Sequence, residues 1–294
     1  MFPADMKRSP LLLAAALGSA AIVGTAFLML QKQKSGTFAF IVWRAISSEA
    51  HGGRYADING VRLYYETYGS GRPVLVLHGG GGSLWTMRNQ IRALAPTHFV
   101  IAVDSRGQGR STDSDAPLSY ALMADDMLKL LEHLHIERAD VVGWSDGGII
   151  ALDMAAHHGD RVGRIVVIGA NYDAAGLVLP TAPGGAIPPP PLVYTLGAPD
   201  PRHWPVLYKK IINMWATQPH YTLEELRGIR APALIIAGEF DMVKREHTDQ
   251  LARSIPGSEE FIIPAGTHDV IFEKRDIVNE KMLQFLDAPG APGH

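Results

Sequence analysis

The sequence predicts an α/β fold, a mostly parallel sheet with helices on both faces. Three observations carry that prediction. Short apolar runs alternate with stretches of helical period along most of the chain, which is the pattern of successive βα units. The runs are continuously apolar, as strands buried on both faces require. One long segment, Asn171 to Arg230, breaks the rhythm and reads as an insertion over the carboxyl ends of the strands.

The first 35 residues stand apart. Lys7 and Arg8 precede Leu11 to Leu30, a run of 20 residues with neither charge nor proline. As a helix it would span about 30 Å, the thickness of one hydrocarbon core. A secretory signal would be cleaved near Gly18-Ser19-Ala20 or Gly24-Thr25-Ala26. An uncleaved signal anchor is favoured, because the apolar run continues past both. Either reading places the body at a membrane or exports it, with the catalytic domain outside the cytoplasm. Residues 36–53 are a linker that includes a second apolar patch, Thr37 to Ile46. The globular domain is expected over residues 54–287, with its lid over about 171–230. Residues 288–294 form a Pro- and Gly-rich tail.

Within the body the expected elements come in order. Arg54 to Ile58 and Val61 to Tyr68 flank an Asn59-Gly60 turn and form a hairpin. Pro73 to Leu77, Phe99 to Val103, Ala139 to Val142, Ile165 to Ile168, Ala233 to Ala237 and Glu260 to Ile263 are strands. Leu122 to Leu134 gathers Leu122, Met123, Met127, Leu130, Leu131 and Leu134 on one helical side. Gly148 to His157, Glu246 to Ser254 and Arg275 to Leu286 are helices. The insertion holds a helical piece, Val206 to Trp215, among many prolines.

Composition narrows the chemistry. Lys and Arg total 27 against 30 Asp and Glu. Without a basic surplus to neutralise phosphates, nucleic acid is not the expected partner. The chain has no cysteine, which excludes disulfides, thiolate metal sites and a Cys nucleophile.

The strongest motif is Gly143-Trp144-Ser145-Asp146-Gly147-Gly148, a G-x-S-x-G string between a buried-type strand and a helix. A nucleophilic Ser there sits on a strained turn where the backbone passes close to its neighbours, so the flanking positions need Gly. A Ser hydroxyl also needs a base and the base an orienting acid, in the chain order Ser, acid, His. His268 and Asp241 each follow a different strand, and Ser145, Asp241 and His268 are the expected catalytic residues. Asp173 is the rival acid. Glu239 reads as a loop-stabilising group and Asp269 as solvated. His78-Gly79-Gly80-Gly81-Gly82-Ser83 follows the strand Pro73 to Leu77. Its Gly80 N–H, with that of Asp146, is the expected oxyanion hole. Gly79, Gly81 and Trp144 are expected to line the substrate, and His78 to be structural. The turn Asp104 to Ser111 is expected to be tied by Asp104 and Arg106. Asp146 has two readings: a carboxylate selecting cationic amine substrates, or an acid stabilised at a helix N-terminus.

Together these motifs resemble the α/β-hydrolase superfamily over roughly Arg54 to Asp287. The Gly-Trp-Ser-Asp-Gly-Gly string is similar to that of biphenyl hydrolase-like esterases, including the valacyclovir hydrolase type. The resemblance implies an eight-stranded sheet and a serine hydrolase needing neither cofactor nor metal. Haloalkane dehalogenases and epoxide hydrolases carry Asp where Ser145 stands. The leading expectation is cleavage of a small-molecule carboxylic ester through an acyl-enzyme. The same residues would serve a C–C bond hydrolase or a haloperoxidase-like perhydrolase. The rival of another class is a non-catalytic, membrane-tethered ligand binder. Nothing in the sequence specifies an oligomeric state.

Overall fold

The structure, a computed structural model, describes residues 53–178 and 186–289. All belong to the compact unit Ser47–His294. The expected segments Leu11 to Leu30 and Thr37 to Ile46 lie outside the described residues. Among the described residues no helix is long and apolar enough to cross a membrane.

Eight strands form one sheet: β1 (Arg54–Ile58), β2 (Val61–Tyr68), β3 (Arg72–Leu77), β4 (His98–Val103), β5 (Ala139–Trp144), β6 (Val162–Ile168), β7 (Ala233–Phe240) and β8 (Glu259–Thr267). Their spatial order is β1-β2-β4-β3-β5-β6-β7-β8. The β1–β2 hairpin pairs antiparallel, as does β2 with β4, and the other pairs are parallel. Each expected strand is present, most of them a few residues longer. Val74, Leu75, Val76 and Leu77 of β3 are all fully buried, which explains why that run is unbroken by polar residues.

Helices α1 (Arg88–Leu94), α2 (Tyr120–His133), α3 (Asp146–His157), α4 (Leu192–Gly197), α5 (Trp204–Thr217), α6 (Leu223–Gly228), α7 (Arg245–Ser254), α8 (Val270–Glu273) and α9 (Arg275–Leu286) join or cover the strands. In α2 the side chains of Met123, Met127, Leu130 and Leu131 are buried, each contributing roughly 1.5–3 kcal/mol. Leu122 and Leu134 are only partly buried, so the apolar stripe is narrower than the sequence pattern. Ser119 caps α2 by accepting from the Leu122 N–H, which satisfies one orphan donor of the first turn.

The segment 171–230 leaves β6 and returns to β7, its neighbour in the sheet. It is more helical than its prolines suggest, because Pro191, Pro201 and Pro205 sit at or just inside helix starts, where a missing N–H costs nothing. Thr222 and Glu225 form a capping box that starts α6. Trp204 donates its indole N–H to the Pro188 carbonyl (2.8 Å). Lys210 Nζ and His203 Nε2 both reach Asp113 Oδ2, at 2.8 and 2.7 Å.

The turn after β4 corrects one expectation. Asp104 ties it by accepting from the Leu84 and Arg110 amides (2.7 and 2.8 Å). Arg106 is not its partner. Its guanidinium turns to α2 and holds Asp126 in a fork of two 2.6 Å bonds. Both side chains are buried, and two parallel N–H···O bonds are the geometry in which a buried pair recovers its desolvation.

Candidate active site

Strand β5 ends at Trp144, and Ser145 turns the chain into α3 at φ 56°, ψ −121°. That is strained, left-handed backbone for a residue with a Cβ. The crowding expected of such a turn is present. A Cβ on Gly143 would overlap the Gly147 carbonyl, and one on Gly147 would overlap the Leu77 carbonyl. The Ser145 N–H donates to the Ile168 carbonyl (2.8 Å), which fastens the turn to β6.

Strands β7 and β8 bring the other two residues to it. Asp241 follows β7 directly and His268 follows β8 directly. His268 Nδ1 is 2.8 Å from Asp241 Oδ1, and His268 Nε2 is 3.0 Å from Ser145 Oγ. Asp241 Oδ1 also accepts from the Val243 amide (3.0 Å). The rival acid is engaged elsewhere: Asp173 binds the Ala175 amide and His220 Nδ1, each at 2.8 Å. Glu239 accepts from the Ala265 amide (2.8 Å), the loop-stabilising role expected of it.

The glycine loop after β3 lies against Ser145. A Cβ on Gly79 would come within 3.0 Å of Ser145 Cβ and 2.9 Å of the Trp144 ring. His78 fixes the loop as a buried neutral imidazole. Its Nε2 accepts from the Ser105 amide (3.0 Å), and its Nδ1 lies 2.7 Å from the Gly79 carbonyl. Burial lowers its pKa to about 4, which keeps Nε2 an acceptor at neutral pH. The amides in the loop differ in use. Gly82 N donates to the Gly79 carbonyl (3.1 Å) and Gly81 N to Gln108 Oε1 (2.7 Å). Among the described residues, no acceptor engages the Gly80 or Asp146 amide.

Trp144, expected to line the substrate, donates its indole N–H to the His268 carbonyl (2.9 Å) and packs edge-on against Phe272. The Asp146 side chain is buried. Its Oδ1 accepts from Tyr120 Oη (2.9 Å) and Trp215 Nε1 (2.8 Å), and its Oδ2 is buried without a hydrogen-bond donor. Burial raises its pKa to about 6, while the Tyr120 and Trp215 donors and the His268 cation pull it down. Neither sequence reading of Asp146 includes this tie to α2 and α5. Among the described residues, no group of His, Asp or Glu is arranged to hold a metal ion.

Comparison with known proteins decides the lineage. A family model described as the alpha/beta hydrolase fold matches residues 72–195. A protein of Azorhizobium caulinodans, named as the carbamate hydrolase RutD, is 31% identical over 267 residues, spanning 80% of this chain and 97% of that protein. The chain belongs to the α/β-hydrolase superfamily. The human serine hydrolase BPHL is 30% identical to this α/β-hydrolase over 258 residues, spanning 78% of this chain and 84% of that protein. The crystal structure of a serine hydrolase involved in carbazole degradation, CarC, matches with a TM-score of 0.68 at 26% identity, spanning 80% and 98% of the two chains. With relatives named as hydrolases on this fold, the chain is a hydrolase and an enzyme.

Sequence reasoning missed two residues of this α/β-hydrolase site, Gln108 and Tyr120, and the contact that Trp215 makes with Asp146. Gln108 lay within a motif already marked as a turn. Tyr120 and Trp215 reach Asp146 from helices far away in the chain, and no local pattern announces such a contact.

Proposed function

We propose that this hydrolase cleaves carboxylic esters through an acyl-enzyme at Ser145. The observation that carries the reading is the unbroken relay from Ser145 Oγ through His268 to Asp241, at 3.0 and 2.8 Å. His268 takes the Ser145 proton as the hydroxyl attacks the carbonyl carbon, then returns it to the leaving alkoxide. Asp241 orients the imidazole and stabilises its cation. The free Gly80 and Asp146 amides hold the oxyanion, and each such donor is worth roughly 2.7–4 kcal/mol of barrier. A water, activated by the same imidazole, then releases the acid.

The test is hydrolysis of a 4-nitrophenyl ester, with labelling of Ser145 by a fluorophosphonate. Ser145→Ala is expected to lose both; near-wild-type turnover in that variant overturns the assignment. A panel of esters, thioesters, amides and carbamates, read by product analysis, separates ester cleavage from C–C bond cleavage and perhydrolysis. The uncharged run Leu11 to Leu30 supports a chain tethered at a membrane or exported. Cell fractionation with intact-mass measurement checks this, and a full-length chain in the soluble cytoplasmic fraction would refute it.

A further inference from the structure

The lid and the nucleophile turn meet at one carboxylate. Asp146 is the first residue of α3, and its amide is one of the two proposed oxyanion donors. Its Oδ1 takes one hydrogen bond from Tyr120 on α2 and one from Trp215 on the lid helix α5. Its Oδ2 receives none and lies against Gly80, where a Cβ would overlap it and come within 2.7 Å of Trp215 Cζ2. A Cβ on Gly81 would stand 3.8 Å from the Trp204 ring, so side chains from both ends of α5 reach the glycine loop. One buried carboxylate thus touches the partner loop of the oxyanion hole, the body and the lid.

We propose that Trp215 is a positioning residue: with Tyr120 it fixes the Asp146 carboxylate against Gly80, so that seating of the lid helix sets the two amides that hold the oxyanion. The inference rests on the esterase reading and deepens it. A buried carboxylate with two donors on one oxygen has a single favoured orientation. Removing a donor leaves the anion less stabilised in a site that already disfavours it. Two effects follow. The amides on either side are held less well when charge develops, which lowers kcat more than it raises KM. The carboxylate also takes up its proton at higher pH. The groups that face it are Tyr120 from α2, with Tyr221 beyond, and His268 from the end of β8. A neutral Asp146 no longer favours the His268 cation formed during attack, so activity falls as it protonates.

The experiment compares Trp215→Phe, Tyr120→Phe and Lys210→Met by kcat, KM and the pH dependence of kcat. Trp215→Phe keeps an aromatic ring on α5 but drops the N–H together with the outer part of the indole. It is expected to lower kcat roughly tenfold, change KM less than threefold and move the acid limb to higher pH. Tyr120→Phe, which leaves the lid untouched, moves the limb the same way. Lys210→Met removes one of the ties of α5 to the body, its bond to Asp113, where His203 remains, and leaves the limb in place. An unshifted limb in both phenylalanine variants, or an equal shift in Lys210→Met, overturns the inference alone. A wild-type chain that neither turns over ester nor labels at Ser145 overturns the esterase reading and takes the inference with it.

Discussion

The indole N–H of Trp144 donates to the backbone carbonyl of His268 at 2.9 Å. Trp144, which precedes Ser145, therefore holds the loop that carries His268, and the distance between Ser145 and His268 is set from both sides. Trp144→Phe keeps an aromatic ring beside Phe272 and removes that bond. We expect kcat to fall several-fold to tenfold with KM little changed. Steady-state kinetics on an activated ester provide the check, and an unchanged kcat would show that the loop holds itself.

The two candidate acids make separable predictions. Asp241→Asn leaves the shape of the site but loses the charge facing His268, and a drop in kcat of about 10³–10⁴ is expected. Asp173→Asn touches only His220 and the start of the lid, and should stay within about twofold of wild type. Reversal of these two results would move the orienting role to Asp173.

Gly143→Ala and Gly147→Ala each drive a methyl group into backbone rather than into a mobile side chain. Backbone cannot yield without moving β3 or α3, so a loss above about 3 kcal/mol is expected. Urea denaturation followed by circular dichroism measures it, and a variant with a wild-type midpoint would mean that the elbow is looser than its contacts.

Arg106→Met leaves the buried Asp126 carboxylate without a counter-charge and with the Asn59 amide as donor, at an expected cost of about 3–5 kcal/mol. The double variant with Asp126→Leu removes both charges and should recover most of that loss. A cycle of the two single variants and the double, by thermal melting, tests the coupling; strict additivity would show that the fork contributes nothing.

His78 makes stability depend on pH in a defined direction. Its folded-state pKa is about 4, below the value of about 6.5 for an unfolded chain. The unfolded state therefore binds the extra proton first as pH falls. Stability from this group is complete above about pH 6.5 and drains away as pH drops toward 4. His78→Asn has no such group. Between pH 7 and pH 4.5 its denaturation midpoint should fall less than that of wild type, and parallel falls in the two proteins would contradict the sign.

The strands were legible because burial on both faces leaves an unmistakable signature, seen in PVLVL of β3 and IVVI of β6. Ser145, Asp241 and His268 were legible because each follows such a strand. Helix α1 was not expected. It is a single short stretch whose apolar positions, Ile91 and Leu94, are too few to show a period. In the segment 171–230, α5 was legible as the piece Val206 to Trp215, whereas α4 was hidden by Pro191, which marks its start rather than a break. The partner of Arg106 was missed because a fork to Asp126 depends on where α2 packs, which the local sequence of the turn does not encode.

The left-handed backbone of Ser145 sets reactivity against robustness at a single position. Glycine adopts φ 56° without penalty, so a Ser145→Gly substitution, inactive under the proposed mechanism, also relieves the conformation that serine endures. Variants screened for heat resistance alone would drift toward dead protein at this residue.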